Sequence, residues 1–477
     1  MMKKILSFFF LVCAIQLNAQ QVWSLSACIE HAEANNLDIQ RGKNNMLLAE
    51  INEDQSKLAF LPTLNLNGGY YWNFGLTIDP ITNTRKPGSR QTLGSTASSN
   101  WTLFNGGRNL YQLQQARMNA MAAMYQQMEL ANNVYLNIAS SYLQILVNQQ
   151  LLEVADGQLN ASAQSLKRTE ILFENGAISK DNYLQSLAQV RTDEGNKISA
   201  ENALLLSKLM LYQMLQLDTP FDKFDILVPE VDLTAAAMAG YQRDELLESA
   251  VEKQPSVQMA TSNVSSANYG VKLAQSGRVP SVAFSAQLNS NYVQGLPYFT
   301  EYYTLTTYTL VENPLTGSID QVPQEINVPN PNSQTAYTVA NQLLDNRNQF
   351  LGVGVQIPLF NGGQTHSAVQ RAKIQLDNAL IEQAQAELNV RQTIERAYLD
   401  ATGALAIYEA SKTSAEASEV ALENAQVNFE TGTISAFDYS LSKNQFLAAK
   451  SREIQSKFDY LFKVKVLEFY LFNQITL

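Results

Sequence analysis

The sequence predicts a mixed α and β membrane protein, made of long α-helical coiled-coil hairpins and a transmembrane β-barrel assembled from four strands per protomer. Three observations predict it. Residues Gly106 to Leu217 contain no proline and are interrupted once, at Phe173-Glu174-Asn175-Gly176-Ala177-Ile178-Ser179. The same object returns 256 residues later (362 − 106 = 256): Leu103-Phe104-Asn105-Gly106-Gly107 matches Leu359-Phe360-Asn361-Gly362-Gly363, and the interruption matches Phe429-Glu430-Thr431-Gly432-Thr433-Ile434-Ser435. Finally, four segments alternate apolar and polar residues, as a strand does with one face in lipid and the other in water.

Taken from the start, Met1-Met2-Lys3-Lys4, the apolar run Ile5 to Ile15 and Gln16-Leu17-Asn18-Ala19 have the three regions of a secretory signal peptide, 1–19. Of 477 residues, 33 are Lys or Arg and 44 are Asp or Glu, a net charge of −11 that argues against nucleic acid as a partner. Cys13 leaves with the signal, so Cys28 has no intrachain disulfide partner in the oxidising compartment that a signal implies. Leu25-Ser26-Ala27-Cys28 is similar to a lipid-attachment site, but the polar Asn18-Ala19-Gln20-Gln21 separates it from the apolar run. Cys28 also falls on an apolar helix face, where a small buried thiol is the simpler reading. No later segment approaches the roughly 20 apolar residues of a transmembrane helix, so any membrane crossing is expected of strands.

The first repeat is expected over 20–217. Ser24 to Leu61 reads as helical, with no proline until Pro62. From Thr63, the residues Leu64, Leu66, Tyr70, Trp72, Phe74 and Leu76 alternate with Thr63, Asn65, Asn67 and Asn73. Asp79 to Ser89 is rich in turn formers and reads as a loop. The chain returns over Thr92 to Phe104, with Leu93, Ala97, Trp101 and Leu103 opposite Thr96, Ser98, Asn100 and Thr102. Gly106 and Gly107 then fit a strand turning sharply into a helix. Within that helix Met121, Met124, Met128, Ala131, Tyr135, Ile138, Tyr142 and Ile145 follow at steps of three and four, a coiled-coil seam. Gly106 to Phe173 would span roughly 100 Å at 1.5 Å per residue. Gly176 can end this helix as a left-handed residue, and Ser179 can cap the next.

An inter-repeat linker, 218–242, carries Pro220 and Pro229 and is expected to pack against the outside of the helices. The second repeat, 243–477, opens with a helix from Arg243 that Pro255 breaks or kinks. Pro62 matches Pro280 at an offset of 218, and 256 − 218 = 38 locates an insertion of 38 residues, a long loop at about 293–349. Around it, Val282, Phe284, Ala286, Leu288 and Tyr292 alternate with polar residues, as do Leu351, Val353, Val355, Ile357 and Leu359 with Gly352, Gly354 and Gln356. Gly362 and Gly363 repeat the strand-to-helix turn. Proline-free helices follow over Gly363 to Phe429 and Ser435 to Phe472. Four strands cannot close a barrel, for which about eight are needed, so other copies must satisfy the edges.

The segment Cys28-Ile29-Glu30-His31-Ala32-Glu33-Ala34-Asn35-Asn36, the doubled Leu-Phe-Asn-Gly-Gly, the two Gly-centred tips and Ile78-Asp79-Pro80-Ile81-Thr82-Asn83 together resemble the TolC-like outer-membrane efflux proteins, the Bacteroidetes members in particular. The resemblance implies a homotrimer in the cell outer membrane, in contact with its lipid, whose twelve-stranded barrel continues as a periplasmic tunnel of helices. It implies a passive conduit of a tripartite efflux or type I secretion system, driven by an inner-membrane transporter through a periplasmic adaptor protein. The tips Gly176, Ala177, Ile178, Ser179, Gly432, Thr433 and Ser435 would then receive the adaptor. The family closes its periplasmic gate with polar contacts, and here Asp438 matches the first acidic position. The second falls on Leu441, a basic position falls on Ile434, and the aromatic before the tip is Phe429. This gate would therefore be more apolar. Ser435-x-x-Asp438 is also spaced as a capping box.

No catalytic, cofactor-binding or metal-binding residues are expected. His31 and His366 lie in unlike contexts without ligand spacing, and no phosphate loop or serine-nucleophile motif occurs. The rival reading is a periplasmic coiled-coil scaffold or adaptor without a pore; it accounts for the hairpins but not for four strands with one apolar face each.

Overall fold

The computed structural model describes residues 22–78, 84–229, 248, 250–312, 314–315 and 317–472. The expected signal peptide 1–19, residues 79–83 of the expected loop, and residues 230–247, with most of the expected linker and the start of the expected helix from Arg243, lie outside the described residues. In chain order the elements are β1 (Val22–Trp23), α1 (Leu25–Asn35), α2 (Leu37–Leu58), β2 (Thr63–Ile78), β3 (Arg85–Phe104), α3 (Arg108–Glu174), α4 (Lys180–Leu215), β4 (Asp225–Ile226), α5 (Pro255–Ser276), β5 (Ser281–Val293), β6 (Pro297–Phe299), β7 (Tyr302–Glu312), β8 (Ile319–Pro329), β9 (Gln334–Ala336), α6 (Val339–Asp345), β10 (Asn348–Gln356), α7 (Gln364–Glu430) and α8 (Ala436–Phe472). The chain divides into two compact units.

One unit holds the described residues up to Glu53 and those within Gln114–Asn268 and Lys373–Leu477; among them the regular elements are helices apart from the two-residue strands β1 and β4. Its helices are long because nothing stops them: α3 and α7 each run 67 residues without a proline. Two buried clusters hold the unit together. Trp23, Cys28, Ile138, Tyr142, Ile145, Leu211, Leu215, Phe224 and Phe458 form one; Val251, Ile394, Ala397, Ala401, Tyr460, Val464 and Leu467 belong to the other. Helix α8 serves both, since Phe458 and Leu461 face the first and Tyr460 and Val464 the second. The Tyr142 hydroxyl donates to the carbonyls of Trp23 and Leu227, fastening β1 and the residues after β4 to α3. The start of the 218–242 linker is thus part of the core: β4 pairs in parallel with β1, and Phe224 and Ile226 are buried.

Several expectations are corrected here. The helical stretch expected from Ser24 to Leu61 ends at Leu58 and is divided in two, because Asn36 leaves the helical conformation and its side-chain oxygen accepts from the N–H groups of Asp38 and Ile39, capping α2. The coiled-coil seam is not uniform. Ala131, Ile138, Tyr142 and Ile145 are buried, but Met121, Met124 and Met128 are exposed, as that part of α3 meets too little of its own chain to cover them.

The other unit, Asp54–Leu113 with Tyr269–Ala372, contains a four-stranded antiparallel sheet in the order β10-β5-β3-β2. The loop expected from Asp79 to Ser89 ends early, because β3 begins at Arg85 and stays paired with β2 from Ile78↔Arg85 onward. Pro87 fits there: β5 joins β3 only at Thr92↔Val293, so at Pro87 the strand has a single neighbour and an open side. The strand expected to run to Leu359 ends at Gln356, two residues before Pro358, which has no N–H to offer. A bulge between Thr102 and Phe104 places Phe104 opposite Val282, so Leu103 is the unpaired residue instead of a member of the apolar row. The inserted loop at 293–349 has secondary structure of its own among the described residues. It contains the pairs β6–β9 and β7–β8 and the helix α6, whose buried Gln342 accepts from the Val293 N–H and donates to its carbonyl.

Candidate functional site

Two features of the molecule are candidates for a functional site: the faces of the sheet and the helical tips. Residues paired across antiparallel strands point to the same side, so the register decides which side chains share a face. Leu66 pairs with Ala97, which pairs with Leu288; Trp101 pairs with Phe284, which pairs with Val353; and Val282 pairs with Val355. The apolar rows of all four strands therefore coincide. On the opposite face Asn67, Thr96, Asn289 and Asn348 form one continuous cross-strand row, and Asn65, Ser98 and Gln287 another. One side of the sheet is mostly apolar and the other mostly polar; the exceptions in β10 are Phe350, opposite Gln287 on the polar side, and Gln349, opposite Leu288 on the apolar one. Its outer strands β2 and β10 each have one neighbour, leaving an unpaired edge at both ends.

The strands pass into the long helices through Gly106-Gly107 and Gly362-Gly363, all four with positive φ (66°, 80°, 62° and 76°). At Gly106 a side chain would also collide with Val279, whose Cβ lies 2.6 Å from the position a Cβ would take. Nearby, Trp101 Nε1 and Asn109 Nδ2 donate to the carbonyls of Phe60 and Ala59, at 2.8 and 2.9 Å, satisfying acceptors just past the end of α2.

The two tips are built alike. Helix α3 closes with the Ala177 N–H donating to Leu172 and the Gly176 N–H to Phe173; α7 closes with Thr433 donating to Asn428 and Gly432 to Phe429. This is the Schellman arrangement, with Gly176 (φ 70°) and Gly432 (φ 76°) as the left-handed residues. Phe173 stacks on Tyr183 at 5.4 Å and Phe429 on Tyr439 at 5.1 Å. Ile178 and Ile434 are half-buried, and Ala177, Ser179, Thr433, Ser435 and Leu441 are exposed.

The tips differ in charge. Asp438 N–H donates to Ser435 Oγ (3.2 Å), and the Asp438 carboxylate accepts from Ser435 N–H (3.3 Å) and Ser435 Oγ (2.7 Å), a reciprocal capping box. At the first tip Ser179 Oγ accepts from Asn182 N–H, and Asn182 is the residue equivalent to Asp438 (438 − 182 = 256). Only the second tip presents a carboxylate at this place.

A third arrangement was not apparent from the sequence. Asp193 of α4 and Lys443 of α8, 2 % and 7 % exposed, stand 3.7 Å apart. Gln158 Nε2 of α3 and Gln189 Nε2 donate to the same carboxylate at 3.2 and 2.9 Å, and Ser440 Oγ lies 3.3 Å from Gln189 Oε1. Burial pulls the Lys443 ammonium below the usual lysine range, and Asp193 offsets part of that pull. The repeat itself holds the signal for one of the missed features, since Tyr183 and Tyr439 are 256 positions apart (439 − 183 = 256). It holds none for the ion pair, because Ala449 and Leu187 occupy the equivalent positions (193 + 256 = 449, 443 − 256 = 187).

Among the described residues no cluster of His, Cys, Asp and Glu could hold a metal ion, and no helix is long and apolar enough to cross a membrane.

Residues 28–216 and 332–471 match the outer membrane efflux protein family. Over 413 residues, 86 % of this chain and 81 % of the relative, the sequence is 23 % identical to the outer membrane protein TolC of Vibrio cholerae serotype O1. It is 20 % identical to the outer membrane efflux protein BepC of Brucella suis biovar 1 over 436 residues, 91 % and 82 % of the two chains. The fold resembles the crystal structure of the outer membrane protein VceC from Vibrio cholerae, with a TM-score of 0.70 at 15 % identity, covering 94 % of this chain and 95 % of that one.

Proposed function

From the premise that the chain belongs to the outer membrane efflux protein family, we propose that it is the outer-membrane conduit of a tripartite export system, assembled from three copies and passive in itself. The observation that carries this reading is the open four-stranded sheet, with one apolar face and an unpaired strand at each edge. In lipid an unpaired edge is costly, and edge-to-edge closure by other copies removes it. A scaffold without a pore would leave the apolar face that carries Leu66, Phe284 and Val353 in water. Three copies of four strands make a twelve-stranded barrel, within the range of such channels. The chain reads as two repeats, 20–217 and 243–477, joined by the linker 218–242. Its helices form the periplasmic tunnel. The tips would meet a periplasmic adaptor linked to an inner-membrane transporter, which supplies the energy; small molecules, or proteins in a type I secretion system, are the cargo. It is not an enzyme on this reading and uses no cofactor.

Asp438 gives the test. Three copies of this carboxylate around one axis concentrate cations, most strongly at low salt where screening is weak. Full-length protein reconstituted in planar bilayers should conduct with cation preference and be blocked by multivalent cations. Asp438→Asn should lower both preference and block while leaving conductance, since an amide oxygen can still serve the capping box. Ile434→Asp with Leu441→Asp should raise the open fraction by putting repelling charges into an apolar closure. A wild-type protein that inserts without conducting would refute the conduit; unchanged selectivity in Asp438→Asn would reduce this residue to a helix cap.

A further inference from the structure

The insertion between β5 and β10 does not stand easily by itself. β7 and β8 pair over eleven positions, from Tyr302↔Pro329 to Glu312↔Ile319, and among the described residues with no other strand. A lone two-stranded hairpin is marginal in water, and this one leaves Tyr302, Tyr308, Leu310 and Ile319 more than 60 % exposed. It is also acidic. Residues 294–346 include Glu301, Glu312, Asp320, Glu325 and Asp345 and no Lys or Arg.

A second hairpin projects from the same sheet with the opposite charge. β2 has 16 residues and β10 has 9, so edge pairing between copies leaves 16 − 9 = 7 positions of β2 uncovered. The far end of β2, Trp72 to Ile78, is paired with Arg85 to Gln91 of β3, beyond the point where β5 joins the sheet. Between Trp72 and Gln91 the chain carries Arg85, Lys86 and Arg90 against Asp79 alone. Among the described residues Arg85, Arg90, Glu312 and Glu325 form no ion pair within one chain. The insertion leaves β5 and returns into β10, the edge strand that a neighbour's β2 would complete.

We propose that the β7–β8 hairpin of one copy docks on the projecting β2–β3 hairpin of the next, with the face that carries both Glu312 and Glu325 against the edge that Arg85 and Arg90 flank from opposite faces. The occupant of the exposed surface is thus a second copy of this chain. The contact continues the edge-to-edge junction away from the strand-to-helix turns and forms a collar between copies at the barrel's mouth. It covers the apolar side chains of the hairpin and brings together charges that are separate in one chain. This inference rests on the ring of copies proposed above.

Charge exchange tests it in the full-length, detergent-purified protein. Light scattering first gives the number of copies; a monomeric wild type would overturn the ring and the collar together. For an oligomer, the temperature at which copies separate is compared between wild type, the variant Arg85→Glu with Arg90→Glu, and the variant Glu312→Arg with Glu325→Arg. Each variant alone is expected to separate at lower temperature, and high salt should shrink the difference from wild type. Assemblies refolded from a mixture of the two variants should regain stability, because an acidic hairpin then meets a basic one across the junction. A contact inside one chain would not be rescued by mixing. Oligomers whose separation is unaffected by either variant, or unrescued in the mixture, would refute the collar while leaving the ring intact.

Discussion

Cys28 illustrates how the surrounding helices set the behaviour of a single side chain. It is fully buried among Trp23, Tyr142 and Leu215, and burial pushes its thiol up to about 12. The raised value means that the folded state favours the neutral thiol. Its contribution to stability is complete below the ordinary thiol pKa and is lost as pH rises through the folded one. The thiolate is the reactive form, so alkylation of the native protein at pH near 8 should be very slow and should become rapid after denaturation. Rapid labelling of the native protein would contradict the burial. The apolar face on which Cys28 lies was readable from the helical pattern. The cap at Asn36, a few residues on, was not, because an Asn inside a helical pattern looks the same whether its side chain faces water or accepts from Asp38 and Ile39.

At the scale of elements, the sheet was legible because its two environments differ so strongly. Each strand alternates on its own, and the register then aligns the four apolar rows without further information. The ends of the strands were harder to read. Arg85 to Ser89 has the composition of a turn, and only pairing with Phe74 to Ile78 makes it a strand. The bulge at Leu103 is equally silent, since it depends on which residue of β5 each end of β3 meets. The shared face makes a sharp prediction. Arg in place of Leu66, Phe284 or Val353 should impair insertion by roughly 2–4 kcal/mol near the bilayer midplane, and Arg in place of Asn65 or Gln287 should be tolerated. The yield of assembled protein in outer-membrane fractions measures both classes. Equal losses would mean that the two faces do not see lipid and water.

For the whole molecule, duplication explains why so much could be read: two tips, two glycine turns and two helices of 67 residues support one another as evidence. What duplication hides is where the halves have diverged. Asp193 and Lys443 are 250 positions apart (443 − 193 = 250), have no counterparts in the other repeat, and join the first helical hairpin to the second. Their charges are nearly sealed from water, so removing one partner strands the other. Asp193→Asn or Lys443→Met should therefore each cost about 3–5 kcal/mol, far more than an exposed pair would. The double variant should lose less than the sum of the two, by about 0.5–3 kcal/mol, because neither charge is then left alone. Loss of helical circular dichroism on heating follows each variant. In Asp193→Asn the buried Lys443 keeps a pKa below that of the unfolded chain, so the unfolded state binds more protons and stability rises with pH towards the ordinary lysine range. The deficit of this variant should therefore be greatest near neutral pH and shrink in alkali. Additive single losses without that pH trend would mean that Asp193 is held by Gln158 and Gln189 alone, and that the two hairpins are tied together by apolar packing.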